Sequence, residues 1–161
     1  MRVSQYKTML NENGLPELVK EKSSNYGIES LTSPELIAQM MREVFQIHRN
    51  TEEYLYEICF TTKMKPIGVF EISHGAIDMA IANPREIFQK ALMCGASNIV
   101  IVHNHPSGVC EPSKEDVKVS QRVKEVGELI GIKLMDSIII GDKSLYSFAD
   151  KVWGKKEVFK W

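Results

Sequence analysis

The succession of elements between residues 98 and 130 most constrains how this chain can fold. Residues 98–102 (NIVIV) form a short, almost wholly apolar run, which predicts a buried β-strand. Pro106 and Gly108 then break the strand into a loop, and Ser113 after a proline indicates the start of a helix. Apolar residues recur at helical spacing along that helix, at Val119, Val123, Val126 and Ile130. A buried strand, a loop and an amphipathic helix in succession predict an α/β fold.

Three side chains that can bind a metal ion lie around the loop of this unit. In an extended segment residues i and i+2 project to the same side, so His103 and His105 can point at one ion. Asp116, in the first turn of the following helix, offers a third ligand. Two imidazoles and a carboxylate suit zinc, and three protein ligands leave one tetrahedral position for water. The pattern therefore predicts a metal site of the catalytic rather than the structural kind.

The same residues also admit structural interpretations. Ser113 and Asp116 have the spacing of a capping box, in which each side chain accepts from the backbone N–H of the other residue. A solvated turn would explain the pair of histidines taken alone. A turn, however, has no need of two histidines on one face together with a carboxylate at the next helix start. The combination favours the metal site.

The spacing of these residues resembles a known motif. His103-x-His105, seven residues, Ser113, two residues and Asp116 have the spacing of the JAMM (MPN-plus) metalloprotease motif. The longer string HNHPSG, followed by PSxxD, is similar to the bacterial RadC family, whose members carry a JAB-type domain. The chain therefore resembles a RadC protein at its candidate metal site.

The resemblance continues outside the motif. Residues 83–88 (NPREIF) and 138–141 (IIIG) are also similar to RadC sequences, and the likeness covers about residues 31 to 150. It implies an α/β fold with a mixed β-sheet flanked by helices, the JAB/MPN (cytidine-deaminase-like) architecture. We therefore expect a RadC-like JAB/MPN domain over residues 31–161, preceded by an N-terminal extension, residues 1–30, of unknown function.

The resemblance also implies a role for each residue of the motif. In the JAMM family the two histidines and the aspartate bind one zinc ion, so His103, His105 and Asp116 take those places, with water as the fourth ligand. The serine of the motif, matched by Ser113, helps to stabilise the oxyanion that forms when the activated water attacks a carbonyl group. This chemistry is physically sound, because zinc lowers the pKa of its water to about 7 and polarises the scissile carbonyl.

Such a mechanism also needs a general base, which the family supplies as a glutamate from an upstream strand. We expect Glu53 to be this base, because it opens a run of β-favouring residues that ends before Thr62 and Lys63. Glu52 and Glu57 are alternatives. Glu57 shares a face with Glu53 in a regular strand, so the spacing alone leaves the choice open.

Charge and composition limit the partners that the chain can have. Lysine and arginine number 20, aspartate and glutamate number 21, and the net charge is −1, so the composition does not support nucleic-acid binding. RadC proteins have been called DNA repair proteins, but the first 30 residues lack the helix-hairpin-helix signature of longer members. DNA binding is therefore not carried over, and a peptide or protein substrate is expected.

Three features of the sequence concern the compartment. There is no apolar targeting segment in residues 1–20 and no run that approaches the length of a membrane span, so a cytoplasmic protein without membrane contact is expected. Cys59, Cys94 and Cys110 lack a CxxC spacing and are expected to be free thiols in a reducing compartment. The sequence does not indicate an oligomeric state.

Taken together, these features predict a zinc-dependent metallohydrolase that cleaves an amide or isopeptide bond by metal-activated water. Two alternatives remain open at this point: a DNA-associated, repair-linked protein, and a metal-bearing domain that binds a partner without cutting it. One departure concerns activity, because many relatives have Asp-His where this chain has Asp136 and Ser137.

The remaining elements follow from local patterns. In residues 1–30 we predict a turn at residues 11–14 and a short helix through Leu15, Leu18 and Val19. Ser33-Pro34 and Asn83-Pro84 predict two further helix starts. Strands are expected at about residues 53–61, 66–73, 76–81, 132–140 and 145–148, with a turn at His74 and Gly75.

Overall fold

The computed structural model describes residues 1–75 and 83–154, which form one mixed β-sheet with helices on its faces. The helices are α1 (Pro34–Phe45), α2 (Pro84–Met93) and α3 (Lys114–Ile130). The strands are β1 (Arg2–Leu10), β2 (Pro16–Asn25), β3 (Glu53–Phe60), β4 (Pro66–Gly75), β5 (Asn98–Asn104), β6 (Lys133–Ile140) and β7 (Leu145–Ser147). A 3₁₀ turn (Ile47–Arg49) follows α1, and a π-helical turn (Ala149–Trp153) follows β7.

The strands of the described residues lie in the order β2-β1-β4-β3-β5-β6-β7. The pairs β1/β4 and β5/β6 are parallel, and the other neighbouring pairs are antiparallel. This arrangement confirms the α/β class with a mixed sheet flanked by helices. Strand β5 lies between β3 and β6, so a residue at the end of β5 is surrounded by protein on both sides.

The two faces of the sheet carry separate hydrophobic clusters because successive strand residues point to opposite sides. Val100 and Val102 of β5 pack with residues of α1 such as Met40 and Met41. Ile99 and Ile101 pack on the other face with residues of α2 and α3, among them Ile87, Ala91 and Val123. By the same alternation, His103 belongs to the face that α2 and α3 cover.

The predicted helix starts are confirmed. The Ser33 Oγ accepts from the N–H of Leu36 at 3.3 Å, and the Asn83 Oδ1 accepts from the N–H of Arg85 at 3.0 Å. In both helices a proline occupies the first turn, where its missing N–H would have no helical partner. These caps explain why the two boundaries were readable from local sequence.

The short helix predicted through Leu15, Leu18 and Val19 is wrong. Residues 16–25 form strand β2, in which Leu18 pairs with Thr8 and Val19 with Lys7. The predicted turn at residues 11–14 is present, and it returns the chain antiparallel to β1. Pairing with a neighbouring strand overrides the short helical spacing, which local propensity alone does not anticipate.

The resulting hairpin belongs to the main sheet. Strand β1 pairs in parallel with β4, with Gln5 opposite Val69 and Tyr6 opposite Phe70. The N-terminal residues therefore extend the sheet that carries the rest of the domain. The division of the chain at residue 30 stays a prediction.

The predicted turn at His74 and Gly75 is also wrong, since β4 continues to Gly75, which pairs with Glu53 of β3. A register shift between Leu55 and Tyr56 accommodates one extra residue in β4. The strand predicted near residues 76–81 lies outside the described residues.

Gly127, within α3, provides a test of how this helix packs. A Cβ built there would collide with the carbonyl oxygen of Ile132 and would lie 3.3 Å from Cζ of Phe88. Alanine normally stabilises a helix interior by about 1 kcal/mol relative to glycine, but overpacking costs about 1–3 kcal/mol. We therefore expect Gly127→Ala to lower the free energy of unfolding in urea. Gly27→Ala, where a Cβ meets open space, is the control and should differ little from the wild type.

Candidate metal centre

His103 and His105 reach the site from the end of a central strand. His103 pairs with Leu55 of β3 and with Ile139 of β6, so its backbone is fixed on both sides. His105 follows the last residue of β5, and its N–H donates to the carbonyl of Ile140 at 3.0 Å. His103 is 4% exposed, so this ligand candidate lies inside the protein.

The structure brings the three predicted ligands together. His103 Nε2 lies 3.2 Å from His105 Nε2 and 3.2 Å from Asp116 Oδ1. His105 Nε2 lies 3.4 Å from Asp116 Oδ2. Four ligands placed tetrahedrally about 2.0–2.1 Å from a zinc ion lie about 3.3 Å apart. The three side chains therefore already have the mutual spacing that a tetrahedral zinc site requires.

The orientation of His105 is set by a backbone carbonyl. Its Nδ1 lies 2.8 Å from the carbonyl oxygen of Val109, which can only accept a hydrogen bond, so Nδ1 carries the proton. In the neutral ring Nε2 then holds the lone pair and faces His103 and Asp116. A hydrogen bond of this kind on the outer nitrogen is typical of histidines that bind metals.

Asp116 is held by the start of α3. Ser113 is the N-cap, and its Oγ accepts from the N–H of Asp116 at 3.1 Å. Asp116 Oδ2 in turn accepts from the N–H of Ser113 at 2.7 Å and from its hydroxyl at 2.6 Å. The capping box expected as a structural interpretation is therefore present. The same side chain also faces the histidines, so capping and the metal-site geometry coexist.

The electrostatics of the site favour an ionised Asp116. Burial by itself raises the pKa of this carboxyl, but hydrogen bonds to His103 and His105 outweigh it and hold the pKa well below its usual range. The hydrogen bond to Asp116 also raises the pKa of His105 against the opposing effect of burial. An ionised carboxylate is the form in which Asp116 can bind a cation, and a bound cation would take the place of the proton that His105 Nε2 shares with Asp116 in the metal-free protein.

The three glutamates considered as the general base differ in burial and in the groups around them. Glu53 is the first residue of β3 and is partly buried, and its charge contributes to the raised pKa of His105. Leu55, two residues further along the same face, lies opposite His103. Glu52 is exposed, and its carbonyl accepts from Asn104. Of the three, Glu53 is the one whose charge contributes to the raised pKa of His105.

Glu57 lies deeper in the protein than its position on the strand indicated. Its side chain is fully buried, and neither carboxylate oxygen has a hydrogen-bond partner by distance and angle. The groups that influence it are Cys94, Lys90 and Cys59 rather than the histidines. Burial raises the pKa of Glu57 well above its ordinary value, which favours the protonated, neutral carboxyl group. This environment makes Glu57 a poor candidate for a base beside the metal site.

Asn104 is a site residue that the sequence reasoning missed. It lies between the two histidines and is 1% exposed. Its Oδ1 accepts from the N–H of Tyr54 at 2.8 Å, and its Nδ2 donates to the carbonyl of Glu52 at 2.9 Å. These two hydrogen bonds hold the residues on either side of Glu53, and they therefore keep Glu53 next to β5. Asparagine is disfavoured in strands, and this was the only local signal of a special role.

Ser137 of β6 is buried near the site. Its Oγ accepts from Ser120 of α3 at 2.7 Å. A small cavity lies against this serine pair, lined also by His103 and Asp116. The two hydroxyl groups therefore join α3 to β6 directly behind the candidate ligands.

The fold and the site define a mixed α/β domain with a candidate mononuclear metal centre of two histidines and one aspartate. Comparison with protein families agrees with this class, because the model of the family described as RadC-like JAB domain matches residues 31–153. That match covers most of the chain, and the chain therefore belongs to the RadC-like JAB domain family.

Curated relatives carry the name UPF0758 protein. Those of Geotalea uraniireducens and Clostridium tetani are 37% and 41% identical over 137 and 131 residues, which are 81% of this chain in each case. A third, from Caldanaerobacter subterraneus, is 39% identical over 76% of the chain. The matches cover 59%, 55% and 52% of the respective relatives, so the chain spans a little over half of their length. Within the part of the chain that the structure describes, no helix combines the length and apolar character needed to cross a bilayer.

The buried state of Glu57 predicts a specific pH dependence. Its pKa is raised in the folded protein, so above about pH 4.3 the unfolded chain releases this proton while the folded chain keeps it. The stability due to Glu57 is therefore complete below that pH and falls as pH rises, by at most about 1.4 kcal/mol per pH unit. We expect the stability of Glu57→Gln relative to the wild type to rise with pH above about pH 4, until the pH reaches the raised pKa of the folded protein. Urea unfolding at a series of pH values above about pH 4 measures the effect, with Glu52→Gln as the control; parallel profiles for Glu57→Gln and the wild type would contradict it.

Proposed function

We propose that this chain is a zinc-dependent hydrolase that cleaves an amide or isopeptide bond in a peptide or protein. The observation that carries the proposal is the convergence of His103, His105 and Asp116, whose ligand atoms lie 3.2–3.4 Å apart. Two imidazoles and a carboxylate form a donor set that zinc accepts, with one position left open. The hydrogen bond from His105 to Val109 adds the outer support that such ligands need.

When bound, zinc would lower the pKa of a water molecule to about 7 and polarise the carbonyl of the substrate. Proton transfer would then be the task of Glu53. This residue is held between the two bonds of Asn104 at the start of β3, on the face of Leu55 and His103. From there its carboxylate would accept a proton from the attacking water and return it to the leaving amine.

Ser113 is proposed to donate a hydrogen bond to the oxyanion that develops on the substrate. In the structure its hydroxyl donates to Asp116 Oδ2 at 2.6 Å. The oxyanion role therefore requires this hydroxyl to turn toward the substrate. Asp116 Oδ2 would keep its bond from the backbone N–H of Ser113, so the carboxylate would remain oriented.

Metal analysis tests the first step of the proposal. We expect one zinc per chain by elemental analysis after zinc loading and desalting. Asp116→Asn and His103→Ala should lose this metal, because each removes one of three ligands. His48→Ala is the control, because His48 is exposed and distant in sequence from the three candidate ligands; this variant should bind zinc like the wild type. Wild-type protein without stoichiometric metal would refute the proposed function.

The role of Glu53 requires a separate measurement. Glu53→Gln should keep zinc binding but lose turnover of peptide-library substrates by at least about 100-fold, because general-base catalysis typically contributes that much or more. Glu52→Gln is the matched control and should remain active. If Glu53→Gln retains turnover and Glu52→Gln loses it, the general base is Glu52 and the assignment of Glu53 is wrong. Wild-type protein that binds zinc but cleaves no library member would favour a metal-bearing domain that binds a partner.

A further inference from the structure

His105 differs from the other two candidate ligands in the element that carries it. His103 lies in β5 and Asp116 in the first turn of α3, whereas His105 lies in the loop after β5. Local hydrogen bonds shape this loop: the N–H of Gly108 donates to the carbonyl of His105 at 2.9 Å, and His105 Nδ1 donates to the carbonyl of Val109 at 2.8 Å. These bonds hold the imidazole relative to the loop, so the position of His105 relative to His103 and Asp116 depends on what packs against the loop.

The turn between β6 and β7 packs against it. The N–H of Asp142 donates to the carbonyl of Gly108 at 3.0 Å, and the N–H of His105 donates to the carbonyl of Ile140 at 3.0 Å. The contact at Gly141 leaves no room for a side chain. A Cβ there would collide with the carbonyl oxygen of Gly108 and would lie 3.2 Å from the N of Cys110. The two loops are thus in direct backbone contact.

A single arginine of α1 holds this turn from the other side. Arg42 donates through Nη2 to the carbonyls of Gly141 at 2.8 Å and Ser144 at 3.0 Å, and through Nη1 to the carbonyl of Asp142. A planar guanidinium can satisfy several carbonyls at once, which the point charge of a lysine cannot do in the same geometry. Arg42 therefore fixes a turn that lies about 100 residues further along the chain.

We propose that Arg42 and Gly141 are positioning residues for His105. Arg42 holds the turn at Gly141 and Asp142, and this turn contacts Gly108. Val109, the next residue after Gly108, accepts the hydrogen bond from His105. The carbonyl of Val109 accepts the proton of His105 Nδ1, so movement of this loop turns the imidazole away from His103 and Asp116. This inference rests on the proposed function in so far as the ring is required to hold a metal.

Outer partners of metal ligands typically contribute about 10–100-fold to metal affinity. We therefore expect Arg42→Ala and Gly141→Ala to bind zinc about 10–100-fold more weakly than the wild type, measured by competition with a chromogenic chelator. Arg49→Ala is the control for the arginine, because Arg49 is exposed and its side chain donates to Gln46 Oε1 at the surface, away from the turn at Gly141. Gly27→Ala, with open space around its Cβ, is the control for the glycine. Both controls should stay within twofold of the wild type.

Hydrogen exchange in the metal-free protein supplies a second readout. The amides of His105 and Asp142 should exchange faster in Arg42→Ala and Gly141→Ala, whereas the amide of Val102 in the middle of β5 should stay protected. Faster exchange confined to the two loops supports positioning, and loss of protection throughout the sheet would instead show a general loss of stability and overturn it.

The outcomes separate this inference from the proposed function. If the wild type binds no zinc, the proposed function fails, while local loss of protection in the variants still supports positioning of His105. Folded variants with wild-type zinc affinity and unchanged exchange at both amides would overturn the inference. Should Arg42→Ala not fold, Arg42→Lys decides, since it keeps the charge and loses the planar fork. If Arg42→Lys has the zinc affinity and the amide exchange rates of the wild type, Arg42 is not a positioning residue for His105.

Discussion

A buried carboxylate, Asp116, shares one small space with two imidazoles at the end of β5, and much of the domain is arranged around that contact. Burying a charge costs several kcal/mol unless it is paired and hydrogen-bonded. Here the backbone and hydroxyl of Ser113 donate to one oxygen, and both histidines face the carboxylate. The positive end of the helix dipole at the start of α3 adds to this stabilisation. The ion-binding geometry is therefore compatible with a folded chain.

The candidate ligands could be predicted from the sequence because each is placed by local geometry. His103 and His105 lie two residues apart in an extended segment, and Asp116 lies three residues after a cap. Strand alternation and capping chemistry are properties of the nearest few residues. The choice of base was different, because Glu53 and Glu57 share a strand face. Only the pairing of β3 with β5 and the packing of α2 show that Glu57 is enclosed while Glu53 lies beside the site.

Long-range contacts explain what the sequence left unseen. The spacing of Leu15, Leu18 and Val19 fits a helix turn, but pairing with β1 makes the segment a strand. Asn104 acts on residues 52 and 54, and Arg42 acts on residues 141–144, so neither role has a local pattern. In both cases the deciding partner lies far away in the sequence, so no local pattern reveals it. Local periodicity indicates which secondary structures a segment can form. Which of them it adopts depends on the strands and helices that pack against it.

Ser113 shows how one side chain can serve both the fold and the proposed reaction. A hydroxyl has one proton to donate and two lone pairs with which to accept. Capping of α3 uses acceptance, from the N–H of Asp116 at 3.1 Å, while the proton goes to Asp116 Oδ2. Turning that proton to a substrate oxygen would leave the cap intact and would remove one of two donors from Oδ2. The capping interpretation and the oxyanion proposal are therefore not exclusive, since they draw on different parts of the same hydroxyl group.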